Sequence, residues 1–271
     1  MATIAKLDVL LGLEDGAFQR GLESSRQKLD RWGSNLRGMG TKLTAGITAP
    51  LAGGSIAMVK WASDLEQTMG ATEQLWGDNA GAIVKWSETA NTAMGLTQNE
   101  SLQSANRFNA MLSQTGASMD EVSTMSMDLT ARSADLAAMW GGSSIESSDA
   151  LTSALRGNYE GLDKYNIILT EAIVNEEAKA IAVADGREEI TEADKVQARY
   201  NLIMEQSANA EGQFAREADT TAGKLAISTA RAKDAATAFG KLLLPYVNKL
   251  LDVFSDMVSW LENLSDTQRK W

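Results

Sequence analysis

The chain has 271 residues, no histidine, no cysteine and a net charge of −11. Without histidine and cysteine it lacks the side chains that carry most acid–base, nucleophilic and metal chemistry near neutral pH, and a disulfide-stapled fold is excluded. The negative balance disfavours duplex-DNA binding, which is driven by Lys and Arg neutralising phosphates.

Apolar residues make up 44% of the chain, enough for a real core, and Pro50 and Pro245 are its only prolines. Strand-rich folds of this length need more turn chemistry, so the expectation is a mainly α fold. The charge is unevenly spread. The first 60 residues carry eight Lys/Arg against five Asp/Glu, which leaves −14 on the rest. That basic start reads as a solvated helix face or as an interaction arm. The first residues do not build a signal peptide, and no uninterrupted apolar run reaches the ~18 residues of a membrane span.

In chain order, Leu7, Val9, Leu11 and Leu13 alternate with polar or small residues and predict one short strand within residues 3–13. Asp15-Gly16 turns into a helix through Phe18, Leu22, Leu29 and Trp32, with Arg20, Arg26, Lys28 and Arg31 on its outer face. Residues 1–37 form this strand-and-helix arm. A small-residue linker follows at 38–54, marked by Gly40, Gly46, Pro50, Gly53 and Gly54. Glycine at that density weakens a helix by about 1 kcal/mol per residue relative to alanine.

A helical core is expected over 55–212. Ile56, Val59, Ala62, Leu65 and Met69 recur at helical spacing, and Gly77 closes that segment after Trp76. Asp78 is expected to cap the next helix, with Ile83, Trp86 and Ala90 inward. Thr97…Glu100, Ser118…Glu121 and Ser143…Glu146 each fit a capping box, in which hydroxyl and carboxylate satisfy each other's free backbone N–H. Apolar stripes follow each: Leu102, Ala105, Phe108 and Leu112; Val122, Met125, Leu129, Leu136 and Met139; Ile145, Leu151 and Leu155. Trp61, Trp76, Trp86 and Trp140 lie on or beside the stripes and read as core. Gly116, Gly157 and Asn166 fall where a left-handed residue is wanted. Ile167-Ile168-Leu169 reads as extended, Thr170 and Thr191 as helix starts, and Asp185-Gly186 as a turn.

A long helix is expected from about Asp219 to Leu244, with Pro245 in the first turn of a new one. Leu243, Val247, Leu250, Phe254, Met257, Leu261 and Leu264 are spaced four, three, four, three, four, three, which is a coiled-coil seam. Leu244, Leu251 and Val258 widen it. The segment 213–271 therefore reads as a long helix plus a coiled-coil-like stretch, and the seam as an interaction surface or an ordinary core face. The structural turns are placed at Gly40, Pro50, Gly157, Asn166 and Pro245. The fold class is a mainly α, multi-helix assembly with a short N-terminal strand, a Gly-rich linker and a C-terminal coiled-coil-like helix.

Chemistry is harder to find. The pairs Glu176-Glu177 and Glu188-Glu189 are sequence neighbours whose side chains diverge on a helix. No EF-hand spacing and no phosphate-binding glycine loop is present, and no histidine can activate a serine. No catalytic, cofactor-binding or metal residue is expected.

Several stretches together resemble phage tail tape measure proteins. They are Leu7-Asp8-Val9-Leu10-Leu11 with Phe18-Gln19-Arg20-Gly21-Leu22; Gly40-Thr41-Lys42-Leu43-Thr44-Ala45-Gly46-Ile47-Thr48-Ala49-Pro50-Leu51 leading to Ala62-Ser63-Asp64-Leu65-Glu66; Leu155-Arg156-Gly157-Asn158-Tyr159-Glu160-Gly161-Leu162; and Glu211-Gly212-Gln213-Phe214-Ala215-Arg216 with Phe239-Gly240-Lys241-Leu242-Leu243-Leu244-Pro245. Where the family commonly has glycine, this chain has Asn166. The resemblance implies a non-enzymatic protein that sets tail length inside the tail tube and leaves ahead of the DNA. It also implies a place in the virion tail lumen, and in the host cytoplasm before assembly. The partners it implies are the tail tube protein, tail tip or baseplate proteins and assembly chaperones, with homo-oligomers and contact with a host membrane on ejection. Two other readings stand beside it. One is a membrane-inserting or pore-forming helical protein using residues 38–59 and 242–264. The other is an enzyme built on a carboxylate pair.

Overall fold

Side-chain oxygens set the helix starts. Thr97 and Ser118 each accept the N–H of the residue three positions on, and Glu100 and Glu121 accept the cap N–H in return. Each cap stabilises its helix by about 1 kcal/mol. The third predicted box is half formed. Ser143 Oγ accepts from Glu146 N at 3.1 Å, while the Glu146 carboxylate is drawn away to Lys164 Nζ at 2.6 Å. Thr191 makes a full box with Asp194, and Thr170 accepts from Ile173 N.

The computed structural model describes residues 54–262, and among them there are helices and no strand. The helices are α1 (Gly54–Trp76), α2 (Ala80–Ser87), α3 (Ala90–Ala93), α4 (Gln98–Leu112), α5 (Met119–Trp140), α6 (Ser144–Leu155), α7 (Glu171–Ala184), α8 (Glu192–Gln206), α9 (Gln213–Glu217) and α10 (Thr221–Glu262). The predicted N-terminal strand and helix, the linker up to Gly53, and Leu264 lie outside the described residues. Gly54, the last residue of that linker, begins α1.

Three local expectations are corrected. Asp78 does not cap α2: Gly77–Asn79 form a 3-10 turn, and Asn79 sits before the helix with its amide turned to Asp120 at 2.8 Å and Ser123 at 3.1 Å. Pro245 starts no new helix, because α10 runs through it for 42 residues. Proline removes one backbone bond and crowds the carbonyl four residues back, and the unbroken helix-forming turns on either side outweigh that loss. Met139 and Trp140, placed inward by their stripe, are 37% and 42% exposed at the C-terminal end of α5.

The described residues divide into two compact units, 64–235 and 54–63 with 236–262. Both boundaries fall inside helices. In the larger unit α5 packs against α4, α6 and α9, and α7 pairs with α8. Leu102, Ala105, Phe108, Leu112, Leu129, Leu136, Leu151 and Leu155 are fully buried there, as their spacing predicts. Trp76 is also buried, and its indole N–H donates to Asn106 Oδ1 at 2.6 Å, while Asn106 Nδ2 donates to Thr72 Oγ1 at 3.0 Å.

In the smaller unit α1 and α10 touch at Gly240. A Cβ on Gly240 would lie 2.0 Å from the Met58 carbonyl oxygen and 3.0 Å from Ala62 Cβ. Only glycine allows the two backbones to approach this closely.

Candidate functional site

The larger unit contains a cleft of about 520 Å³ between the end of α5, the start of α6, α9 and the first turns of α10. Its walls are small and apolar: Ala134, Ala137 and Ala138 on α5 face Ala222, Ala226 and Ala230 on α10. Side chains this short leave a groove between helices where larger ones would fill it. Phe214 lines the same cleft, and Gly95 makes room for its ring, since a Cβ there would lie 2.8 Å from Phe214 Cζ. Gly95 also has φ +64, a conformation that side chains rarely adopt.

Polar groups sit on the lining. Lys233 donates to Glu100 at 3.1 Å. Burial pushes the Glu100 carboxyl up, but the Thr97 backbone N–H and the Lys233 ammonium outweigh it and hold the group below its usual range. Ser143 is engaged in capping α6. The groove thus pairs an apolar surface with one ion pair, an arrangement suited to receiving an apolar group.

Elsewhere in this unit, buried and half-buried charges are spent on helix ends. Arg132 donates to the Ser207 carbonyl at 2.5 Å and to Glu211 at 2.9 Å, just past the end of α8. Arg199 donates to the Leu155 carbonyl at the end of α6, to Glu192 and to Tyr159. Asp135 accepts from Gly212 N and Phe214 N at the start of α9, and Asp234 accepts from Gln98 N at the start of α4. Cations meet C-termini and anions meet N-termini, as the helix dipole favours. Among the described residues no group of three acidic side chains is placed to hold a metal ion.

The predicted interaction positions all fall on one helix. Leu243 and Val247 are half-buried on α10. Leu250, Phe254, Met257 and Leu261 occupy α10 as well, with side chains outside the described set, and Leu264 lies beyond it. Leu242 and Leu251 are 64% and 58% exposed. Gly157 has φ 94 and Asn166 has φ 55, both left-handed, whereas Gly40 and Pro50 lie outside the described residues. Among the described residues no helix is long and apolar enough to cross a membrane, the described part of 242–264 included.

Sequence reasoning missed the cleft and the buried ions. A signal for the cleft exists: Ala222, Ala226 and Ala230 recur at four-residue spacing, opposite the small cluster at 134–138. The ions leave little, because each has a backbone partner tens of residues away in the chain. No protein-family model matches the chain, and comparison with curated proteins and with solved structures gives no match.

Proposed function

We propose that this chain is the helical part of a phage tail tape measure protein, a non-enzymatic ruler around which tail tube subunits assemble. The reading rests on the ordered set of stretches that resemble the family. The observation that carries it is α10, 42 residues of uninterrupted helix with an apolar seam on its C-terminal half. A helix rises about 1.5 Å per residue, so α10 converts residue count into about 63 Å of length. The described residues hold no strand, which fits a protein whose length follows its residue number. The partners on this reading are the tail tube protein, the tail tip or baseplate, assembly chaperones and further copies of the chain.

The test is a set of in-frame deletions of whole heptads from α10 in the phage. Each heptad removed should shorten the averaged tail by about 10 Å, at about 1.5 Å per residue. Tails of unaltered length in electron micrographs would remove the ruler reading.

A further inference from the structure

Methionines occur both inside the larger unit and on its surface. Met94 and Met125 are 5% and 8% exposed, whereas Met119 and Met139 are each 37% exposed. A thioether is oxidised only where the oxidant reaches its sulfur, so the two outer methionines are the ones open to attack. Their surroundings differ. Met119 is the first residue of α5, and its sulfur accepts a hydrogen bond from Asn109 Nδ2 at 3.5 Å. Among the described residues no polar group bonds to the sulfur of Met139.

Asn109 lies in the last turn of α4 and is only 2% exposed. Its side-chain amide is therefore shielded from bulk water. The thioether is the acceptor it finds, and no oxygen among the described residues takes its place. A thioether sulfur is a weak acceptor. A buried amide donor held against a weak acceptor forfeits part of the free energy that a good bond returns. The donor is thus poorly matched to the reduced side chain and well matched to an oxidised one.

The bond spans the corner between two packed helices. After Leu112 the chain makes a 3-10 turn at Ser113–Thr115, Gly116 takes φ 82, and Ser118 caps α5. Donor and acceptor are ten residues apart across this corner. On either side of it Leu112 and Val122 are buried in the same core. A stronger bond here would hold the end of α4 to the start of α5.

We propose that Met119 is a site of oxidation to the sulfoxide, and that its new oxygen tightens the α4–α5 corner by accepting from Asn109 Nδ2. The oxidant is hydrogen peroxide. A sulfur lone pair attacks one peroxide oxygen, and the O–O bond breaks as the S–O bond forms. The released hydroxide takes the proton of the transferred oxygen and leaves as water. Sulfur loses two electrons and the peroxide gains them. The sulfoxide oxygen carries partial negative charge and accepts far better than the thioether did. The unbranched methionine side chain turns about three bonds, which lets the oxygen swing to the amide while the helices stay in place. The sulfur becomes chiral, and one of its two epimers directs the oxygen at Asn109. Elsewhere the added oxygen disrupts apolar packing; at Met119 it meets a donor already in position. This inference is independent of the ruler reading.

The test treats the full chain with dilute hydrogen peroxide and follows each methionine by mass spectrometry of its peptides. Met119 and Met139 should gain oxygen before Met94 and Met125. Urea unfolding then compares treated and untreated wild type, Met119→Leu and Asn109→Leu. Treatment should favour the folded wild type over the folded Met119→Leu by about threefold in the unfolding equilibrium, the value of one added hydrogen bond. Asn109→Leu should abolish that excess. Should Asn109→Leu fail to fold, the Asn109 side-chain amide is read by NMR in the wild type, where its proton resonance should move downfield in one of the two epimers. An amide resonance that does not move overturns the proposal. So does a Met119 oxidised no faster than Met94 and Met125, a treated wild type with no advantage over treated Met119→Leu, or an excess that persists in Asn109→Leu.

Discussion

The carboxylate of Asp135, towards the C-terminal end of α5, accepts the backbone N–H of Phe214 at 3.0 Å. Its second oxygen accepts from Gly212 N at 2.8 Å. One side chain therefore caps a helix whose N-cap, Gly212, lies 77 residues later in the chain, and it fixes the backbone of the aromatic residue that lines the cleft. Asp135 is 9% exposed, so water does not replace these bonds. Asp135→Ala should cost about 2–3 kcal/mol in urea unfolding, the value of buried bonds to a charged group. Asp135→Asn keeps one acceptor oxygen and should cost less. Equal losses for the two variants would show that the bonds contribute little beyond packing.

Glycines on α1 and α10 give opposite expectations. Gly70 has nothing within 4 Å of where a Cβ would sit, whereas Gly240 has the Met58 carbonyl at 2.0 Å. Gly70→Ala should raise stability by up to about 1 kcal/mol through helix propensity alone. Gly240→Ala must push two backbones apart, because a carbonyl cannot rotate away as a side chain can. Thermal unfolding of the two variants should move in opposite directions, and a melting temperature for Gly240→Ala at or above that of the wild type would refute the close approach.

The elements that could be read from sequence are those whose cause is local. A hydroxyl and a carboxylate three residues apart define a helix start wherever the chain goes next, so Thr97 and Ser118 are legible. So is Asn166, which supplies the left-handed residue after a 3-10 turn. The misreadings arose where a distant partner competes. Glu146 leaves its cap for Lys164, and Asn79 turns to Asp120 across 41 residues, neither of which a spacing rule can register. Pro245 carries a helix-start signal, but the continuous helix-forming turns on both sides carry α10 through it. On α1 the predicted Ala62 and Leu65 are buried, while Met58 and Thr68 take the inward places expected for Val59 and Met69, and Thr72 and Trp76 complete the buried set. Thr68 and Thr72 satisfy their hydroxyls on carbonyls four residues back, which lets polar residues serve a core face.

Arg199 should not tolerate lysine. It is 4% exposed, and its guanidinium reaches the Leu155 carbonyl at 3.1 Å, Glu192 at 2.8 Å and the Tyr159 hydroxyl at 3.2 Å. Lysine brings one ammonium and cannot span three partners held at fixed angles. Arg199→Lys should cost about 1–3 kcal/mol, because a buried carbonyl or hydroxyl loses its donor. The exposed pair of Arg107 with Asp149 supplies the contrast. Arg107→Lys should change stability by less than about 1 kcal/mol, as surface ion pairs do. Similar losses at both sites would mean that burial adds nothing to the Arg199 network.

Two carboxylates should give opposite slopes of stability against pH. Both oxygens of Asp194 receive Arg187, at 2.7 and 2.5 Å, and the Thr191 N–H adds a third bond at 2.7 Å. The Arg187 guanidinium holds the Asp194 carboxyl far below the usual carboxylate range. In the unfolded chain that carboxyl titrates at an ordinary value of about 3.9, so the stability it contributes is complete above that value and is lost as pH falls below it. The advantage of wild type over Asp194→Asn should therefore be flat near neutrality and shrink in acid. Asp234 behaves in the reverse sense. Burial pushes its carboxyl up and nearby Glu100 adds to the rise, against the Asn91 amide, the Gln98 N–H and Lys233, which act to lower it. The folded state then takes the proton before the unfolded state does, so the contribution of Asp234 is complete in acid and declines as pH rises through the raised value. The advantage of wild type over Asp234→Asn should fall with rising pH, opposite to that over Asp194→Asn. Denaturant unfolding of the three proteins across the carboxylate range would measure both slopes, and slopes of the same sign would contradict one of the two assignments.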